Sequence, residues 1–497
     1  MRHSARGLSL PTAVTGLFTG EISTRAGQGV TIKSPGPPCG RELRYAGDLF
    51  RPYSFSKLGE IIMDERLKFK GSLLRWPMAR SSRSYRVYVV EPNEYSPEEH
   101  AKVFNAALTA LVAPQVPFID PFAPHRAEPT SRYFDLVTFP EAFLPKDELI
   151  STLTQLSGGE PLGCVHVGLR PNANRNHHLF RVKELSDLVE ALFRLPSIER
   201  TDLRPFSTWL GAQPSNRLFN IGCLFTIDSG RRLRVCLHPK LVRSRFEANP
   251  LHEDHMTEAD LLTLVTLSPS DPALFSVTVQ PLICSDALQL STDRPHSRPM
   301  DAVNTDAFCL GDQPPDHVDV VSVATCSPQM ESQMSKGDRR RCWHTDFTES
   351  FRRAASDDLL ARHHYAVFVL ANFRNLPNSQ PGGLSGVFIP LPSRKARYPD
   401  FVNVLYYGRP KDAEGAENRW TDVGEGLSSL GQVISLNPFA SGSPRPAYML
   451  GLTVGKLPRD TTPWKPTAPL ADFEFHIASY DSRSTTLTFT NPGAENE

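Results

Sequence analysis

Three residues at strand ends, a thiol, a carboxylate and an ammonium, are the part of this sequence that can do chemistry. Pro281-Leu282-Ile283-Cys284-Ser285-Asp286-Ala287-Leu288 follows an alternating run, Ala273 to Gln280, that reads as a strand. A cysteine placed where a strand breaks into a turn suits nucleophilic attack. The turn exposes the sulfur, and the backbone N–H groups after it, beginning at Ser285, are placed to bind an oxyanion. The same cysteine also fits as a small core residue, the commoner outcome for a lone cysteine. Upstream, the apolar run from Phe134 to Phe139 enters Pro140-Glu141, so a carboxylate sits just past a strand end, between prolines that fix the turn. A second alternating run, Leu233 to Pro239, closes on Lys240. Each feature alone is weak, because a glutamate after a strand is usually just solvated. Together they supply a base, a cation and a nucleophile, the set that acyl transfer through a thioester requires.

The elements that must position these groups alternate between strand and helix. Tyr85 to Val90 reads as a strand. Ser96 then caps a helix that has Pro97 in its first turn and runs to Val112. A proline-rich loop, Pro114 to Arg132, separates that helix from the Glu141 strand. Residues 145–156 read as a short helix, and Leu162 to Leu169 as a strand whose His166 is expected to be a satisfied core histidine. Val182 to Phe193 place Leu185, Leu188, Val189 and Leu192 on one helix face. This alternation predicts an α/β layered fold. Residues 291–317 and 327–345 are polar and read as insertions flanking the Val318–Pro328 strand. A helix is expected over 346–364, a mobile Gly-, Ser- and Pro-rich stretch over 410–446, and strand pieces near the end.

Composition narrows the class. The 497 residues allow two or three average domains, or one large domain with additions. Lys plus Arg equals Asp plus Glu, 54 each, so the formal net charge is zero, which argues against a nucleic-acid binder or a binder of anionic membranes. No apolar run reaches the roughly 18 residues that span a bilayer. Eight cysteines lack the Cys-x-x-Cys spacing of zinc sites, so free thiols in a reducing cytoplasm are expected. Residues 1–45 read as a partly disordered leader. Lys68, Lys70, Arg75, Arg80, Arg83 and Arg86 read as a solvated basic face.

The order of Phe139-Pro140-Glu141, Lys240 and Ile283-Cys284-Ser285-Asp286 resembles the nitrilase superfamily of carbon–nitrogen hydrolases. Supporting stretches follow in sequence: Phe219 to Gly230 with its Asp228-Ser229-Gly230 turn, Val318 to Pro328, Tyr365 to Asn372, and Gly382 to Pro390. The likeness covers about residues 84 to 410. It implies a four-layer α-β-β-α sandwich within a catalytic domain at 84–455, with extensions at 1–83 and 456–497. It also implies hydrolysis of a non-peptide C–N bond in an amide, carbamoyl compound or nitrile. Glu141 would be the base, Lys240 and the Ser285 N–H the oxyanion donors, and Cys284 the nucleophile. Of Glu247, Glu253 and Glu258, which lie between the lysine and the cysteine, Glu247 is the candidate for an accessory glutamate. The likeness implies no cofactor or metal, a small-molecule substrate and frequent homo-oligomerisation. Two features depart from it: Ser285 stands where an aromatic residue is common, and Glu141 and Lys240 are further apart than in compact members. The alternative is a non-catalytic scaffold of the same type that binds partners through its additions.

Overall fold

The structure, a computed structural model, describes residues 67–79, 84–93, 97–112, 134–172, 178–244, 247, 255–271, 276–295, 298–305, 308–309, 317–328, 343–354, 366–376, 382–383, 385–389, 404–407, 432–436, 447–455, 470–481 and 486–490. The chain divides into Met1–Leu58 and Gly59–Glu497, and every described residue belongs to the second unit. The expected leader and the Pro114–Arg132 loop lie outside the described residues.

The fold is mixed α/β, with two large sheets and several helices. The first sheet runs Phe308–Cys309, Phe69–Pro77, Leu261–Ser268, Val277–Ile283, Val320–Ala324, Val367–Ala371, Gly386–Ile389, Gln432–Leu436, Val404–Tyr407. The second runs Thr486–Thr490, Leu470–Asp481, Ala447–Gly455, Ser84–Glu91, Leu136–Thr138, Leu162–Arg170, Ile221–Ile227, Leu233–Pro239, with Leu144–Pro145 added beside Leu162–Arg170. Each has three parallel strands near its middle: Val277–Ile283, Val320–Ala324 and Val367–Ala371 in the first, Ser84–Glu91, Leu136–Thr138 and Leu162–Arg170 in the second. The runs Val-Val-Ser-Val-Ala and Val-Phe-Val-Leu-Ala are buried throughout, as strands covered on both faces must be.

Side-chain alternation sorts the two faces of the second sheet. Tyr88, Val90, Val137, Val165 and Val167 join one core with Phe104, Leu108, Leu149, Leu153, Leu185 and Leu188 from helices Pro97–Val112, Lys146–Leu156 and Val182–Phe193. Val87, Val89, Leu136 and Cys164 point the other way and join Leu74, Trp76, Val265, Val279, Val320 and Val367 of the first sheet. Strand Val277–Ile283 accordingly lies against Ile221–Ile227, and Val320–Ala324 against Leu162–Arg170.

The sheets draw on residues beyond the expected boundaries at 84 and 455. Phe69–Pro77 pairs in parallel with Leu261–Ser268, and Leu470–Asp481 pairs with Ala447–Gly455. The basic look of the first of these hid its strand character. Lys70 and Arg75 are exposed while Phe69, Leu74 and Trp76 are buried. The helix expected over 346–364 begins earlier, at Trp343, and is described to Ala354.

Between the sheets the apolar layer gives way to a polar row. Thr138 Oγ1 is 2.8 Å from Ser322 Oγ, which is 2.7 Å from His166 Nδ1, and His166 Nε2 is 3.1 Å from His238 Nε2. His166 is thus the satisfied core histidine expected. Of two imidazoles sharing one proton between their Nε2 atoms, the one that accepts must be neutral. Burial, and for His166 the charge of its neighbour, push both well down, His238 to about 3. Gly222 leaves room for this pair, since a Cβ there would stand 2.3 Å from His238 Nε2. Past this row the parallel strands reach their carboxyl ends, where α/β sheets place their sites.

Candidate active site

Glu141 follows the short strand Leu136–Thr138. The Gly168 N–H donates to the Pro140 carbonyl (3.0 Å), the Phe143 N–H to the Gly168 carbonyl (2.9 Å) and the Glu141 N–H to the Thr325 carbonyl (3.3 Å). Gly168 is required for that approach, because a Cβ would lie 2.4 Å from Glu141 Cα. Ala142 completes the bend with φ +52°, a left-handed conformation that a non-glycine residue adopts only where its surroundings impose it. The carboxylate accepts from Lys240 Nζ and Asn220 Nδ2, both 2.7 Å from Oε1, and from the Cys326 N–H, 3.1 Å from Oε2.

Lys240 is 1% exposed and ends the strand Leu233–Pro239. Its ammonium donates to Glu141 Oε1 at 2.7 Å and sits 2.8 Å from Glu247 Oε2. Burial opposes the lysine charge, but the two carboxylates outweigh it and hold the ammonium well above the usual lysine range. Burial opposes the Glu247 charge as well. Lys240 and His178 overcome it and hold Glu247 well below the usual carboxylate range.

Glu247, the candidate chosen among the three glutamates, thus lies against Lys240. Glu258 turns elsewhere and accepts from the Arg243 and Thr292 N–H groups and from Ser291 Oγ. Glu253 lies outside the described residues. Two partners of the cluster were not expected. Asn220 Nδ2 bridges Glu141 and Glu247, at 2.7 and 3.0 Å. Its Oδ1 has no hydrogen-bond partner among the described residues, so the amide is aimed by its protons alone. His178 Nε2 lies 2.9 Å from Glu247 Oε1. An asparagine ahead of a strand and a histidine in a polar loop carry no local signal of such contacts, which join residues 79 and 69 positions apart.

Glu141, His178 and Glu247 bring possible ligand atoms within 4.8 Å of one another. The Lys240 ammonium already supplies the positive charge between the two carboxylates, so we read the group as an ion-pair cluster and not as a metal centre.

Cys284 ends strand Val277–Ile283 and opens a one-turn 3-10 helix, Cys284–Ala287, with φ +44°. The N–H groups that open such a turn have no acceptor within it. Asp286 secures the turn: Oδ1 accepts from the Leu241 and Val242 N–H groups, both at 2.8 Å, and Oδ2 from the Ile283 N–H at 3.1 Å. Ser285 Oγ donates to the Val242 carbonyl at 2.6 Å. Ser285 and Asp286 thus tie the cysteine turn directly to the two residues after Lys240. At 285 a hydroxyl serves as a bracket, which an aromatic ring could not do. Burial pushes Asp286 up to about 8, against the pull of Lys240 and the three N–H donors.

The Cys284 thiol lies 3.2 Å from Ser327 Oγ. Burial and then the Glu141 charge push it up to about 11, while Lys240 and the hydroxyls of Ser327 and Thr325 pull it down. The resting sulfur is therefore a protonated thiol at neutral pH, in the field of one acid able to take its proton and one ammonium able to hold negative charge. Glu141, Lys240, Glu247, Cys284 and Ser285 are brought together at one end of the two sheets. Cys164, Cys223, Cys236, Cys284 and Cys326 are free. No helix among the described residues is long and apolar enough to cross a membrane.

No protein-family model matches the chain, and a search of curated proteins finds no match.

Proposed function

We propose that the chain is a thiol amidohydrolase of the nitrilase type that cleaves a non-peptide C–N bond in an amide, carbamoyl compound or nitrile. On this reading its sheets and helices form the four-layer α-β-β-α sandwich of that superfamily. For an amide, Glu141 takes the thiol proton as Cys284 sulfur bonds to the carbonyl carbon. The oxyanion is held by the Lys240 ammonium and the Ser285 N–H. The C–N bond breaks, and the amine leaves with the proton from Glu141. Water then attacks the thioester, giving a proton to Glu141 and its hydroxyl to the acyl carbon. The thiolate leaves and recovers a proton, and the acid departs.

One observation carries this reading: a buried thiol on a left-handed turn, bracketed by Ser285 and Asp286 to the segment after Lys240, faces a two-carboxylate, one-ammonium cluster. The high resting position of the thiol favours a second reading, a non-catalytic scaffold of the same type. Iodoacetamide labelling against pH, with the modified cysteines mapped by mass spectrometry, separates the two. The enzyme reading expects Cys284 to label faster than Cys164 and Cys326, and Glu141→Gln or Lys240→Ala to change its rate. It also expects Cys284→Ala to abolish turnover in a screen of amides and nitriles. Equal labelling of the three thiols, unaffected by either change, sinks it.

A further inference from the structure

The hydroxyl of Ser327 has no part in the chemistry above, yet it touches the sulfur that would react. Ser327 follows strand Val320–Ala324, and its Oγ lies 3.2 Å from Cys284 Sγ and 2.6 Å from Thr325 Oγ1. All three side chains are buried. The Ser327 backbone is fixed from the neighbouring strand. Its N–H donates to Asn372 Oδ1 (3.1 Å), and Asn372 Nδ2 donates back to the Ser327 carbonyl (2.9 Å) and to Gly383 (2.8 Å). The hydroxyl is therefore held at the sulfur by Asn372 and Thr325, in a segment that also bonds Glu141 through the Thr325 carbonyl and the Cys326 N–H.

Each hydroxyl carries one proton, and a thiolate can only accept. Once Glu141 has taken the thiol proton, the sulfur can accept from Ser327 O–H, and Thr325 O–H, which also acts on the sulfur, can donate to Ser327 Oγ. A hydrogen bond to a charged acceptor in a dry site is stronger than the same contact to a neutral thiol. We propose that Ser327 is a catalytic residue that stabilises the Cys284 thiolate, with Thr325 and Asn372 as the positioning residues that hold its hydroxyl in line. The proposal rests on the amidohydrolase reading. Within it, the thiolate forms twice, on attack and again when the thioester is released, so Ser327 serves both halves of the reaction.

Among the described residues the charged groups that act on the sulfur include Glu141 and Lys240, with the Cys326 thiol and the Asp286 carboxyl of the same turn nearby. None is altered by changing Ser327. The test is the alkylation rate of Cys284 across pH on the full chain, with Cys326 as internal reference. Below the thiol's own range this rate follows the thiolate fraction. Ser327→Ala is expected to slow Cys284 about tenfold at each pH, the effect of one pKa unit, with Cys326 unchanged. Ser327→Thr keeps a hydroxyl and should restore most of the rate. Thr325→Val should slow Cys284 by a smaller factor in the same direction, and it carries the test if Ser327→Ala does not fold. A Cys284 rate unmoved by Ser327→Ala, or by Thr325→Val in its place, overturns the assignment of Ser327. A wild-type Cys284 no faster than Cys164 counts instead against the amidohydrolase reading, so the two failures are distinct.

Discussion

Strand Leu233–Pro239 carries a buried cation at each end of one face, and the two ends are built differently. Arg234, near its start, makes a two-pronged contact with Asp202, Nε to Oδ2 at 2.6 Å and Nη2 to Oδ1 at 2.9 Å. Its Nη2 also donates to the Arg75 carbonyl in the first sheet at 3.3 Å. Lys240, just past the other end, meets two carboxylates at 2.7 and 2.8 Å. A guanidinium is a rigid fork whose donors fix geometry, whereas an ammonium is a compact charge that several acceptors can share. The arginine end therefore acts as a clamp between the sheets. The arginine end also has a second buried carboxylate, Asp228 Oδ2 3.6 Å from Arg234 Nη1, but a second cation, Arg232, lies 3.7 Å from it. The lysine end buries two acids on one ammonium, a surplus that the proposed acid–base chemistry would use.

The largest expected effect tests that division. Removing either cation, by Arg234→Met or Lys240→Met, strands buried carboxylate and should cost roughly 3–5 kcal/mol, read as a fall in the urea midpoint. Only Lys240→Met should also change the labelling profile of Cys284. If Arg234→Met changes it equally, the two ends are one electrostatic unit and the contrast fails.

A smaller effect lies in the bracket. Asp286→Asn puts an amide where Oδ1 or Oδ2 accepts backbone N–H groups, at a cost of about 1–3 kcal/mol. Because it also loosens the tie to Leu241 and Val242, the Cys284 rate should shift relative to Cys326. A stability loss with no such shift would make Asp286 purely structural.

A further effect is graded with pH and concerns His238 on the same strand and its partner His166. His166 and His238 are held neutral in the fold, below the ordinary histidine value near 6.5. The unfolded chain therefore binds more protons as pH falls below that value, and stability drops with it by roughly 1.4 kcal/mol per pH unit for each histidine. Denaturation midpoints measured on either side of pH 6.5 should show this slope, and His238→Gln should flatten it. A flat wild-type profile would mean that the pair charges freely and does not separate the two ends.

Much of the architecture was legible because burial on both faces leaves a local mark. Runs such as Val320–Ala324 and Val367–Ala371 can hardly be anything but strands. Glu141, Lys240 and Cys284 were legible because each sits where such a run stops. Their partners were not. Asn220 reaches Glu141 across 79 positions, and Ser327 reaches Cys284 across 43, so only the folded chain brings them together. Ser285 and Asp286 stood in plain view beside the cysteine, but their use depends on Leu241 and Val242 lying opposite. Phe69–Pro77 was obscured for the opposite reason: its exposed lysine and arginine spoke louder than its buried alternation.

The Ser285–Asp286 bracket has an evolutionary consequence. It joins the cysteine turn to the segment after Lys240 by side chains of the motif itself. Lengthening a loop adds only about 0.6 kcal/mol for each doubling of its length. Loops that do not pack on this turn can lengthen while the sulfur and the ammonium keep their mutual register. For the proposed hydrolase, alignment of the reacting groups and selectivity would thereby rest on separate parts of the chain.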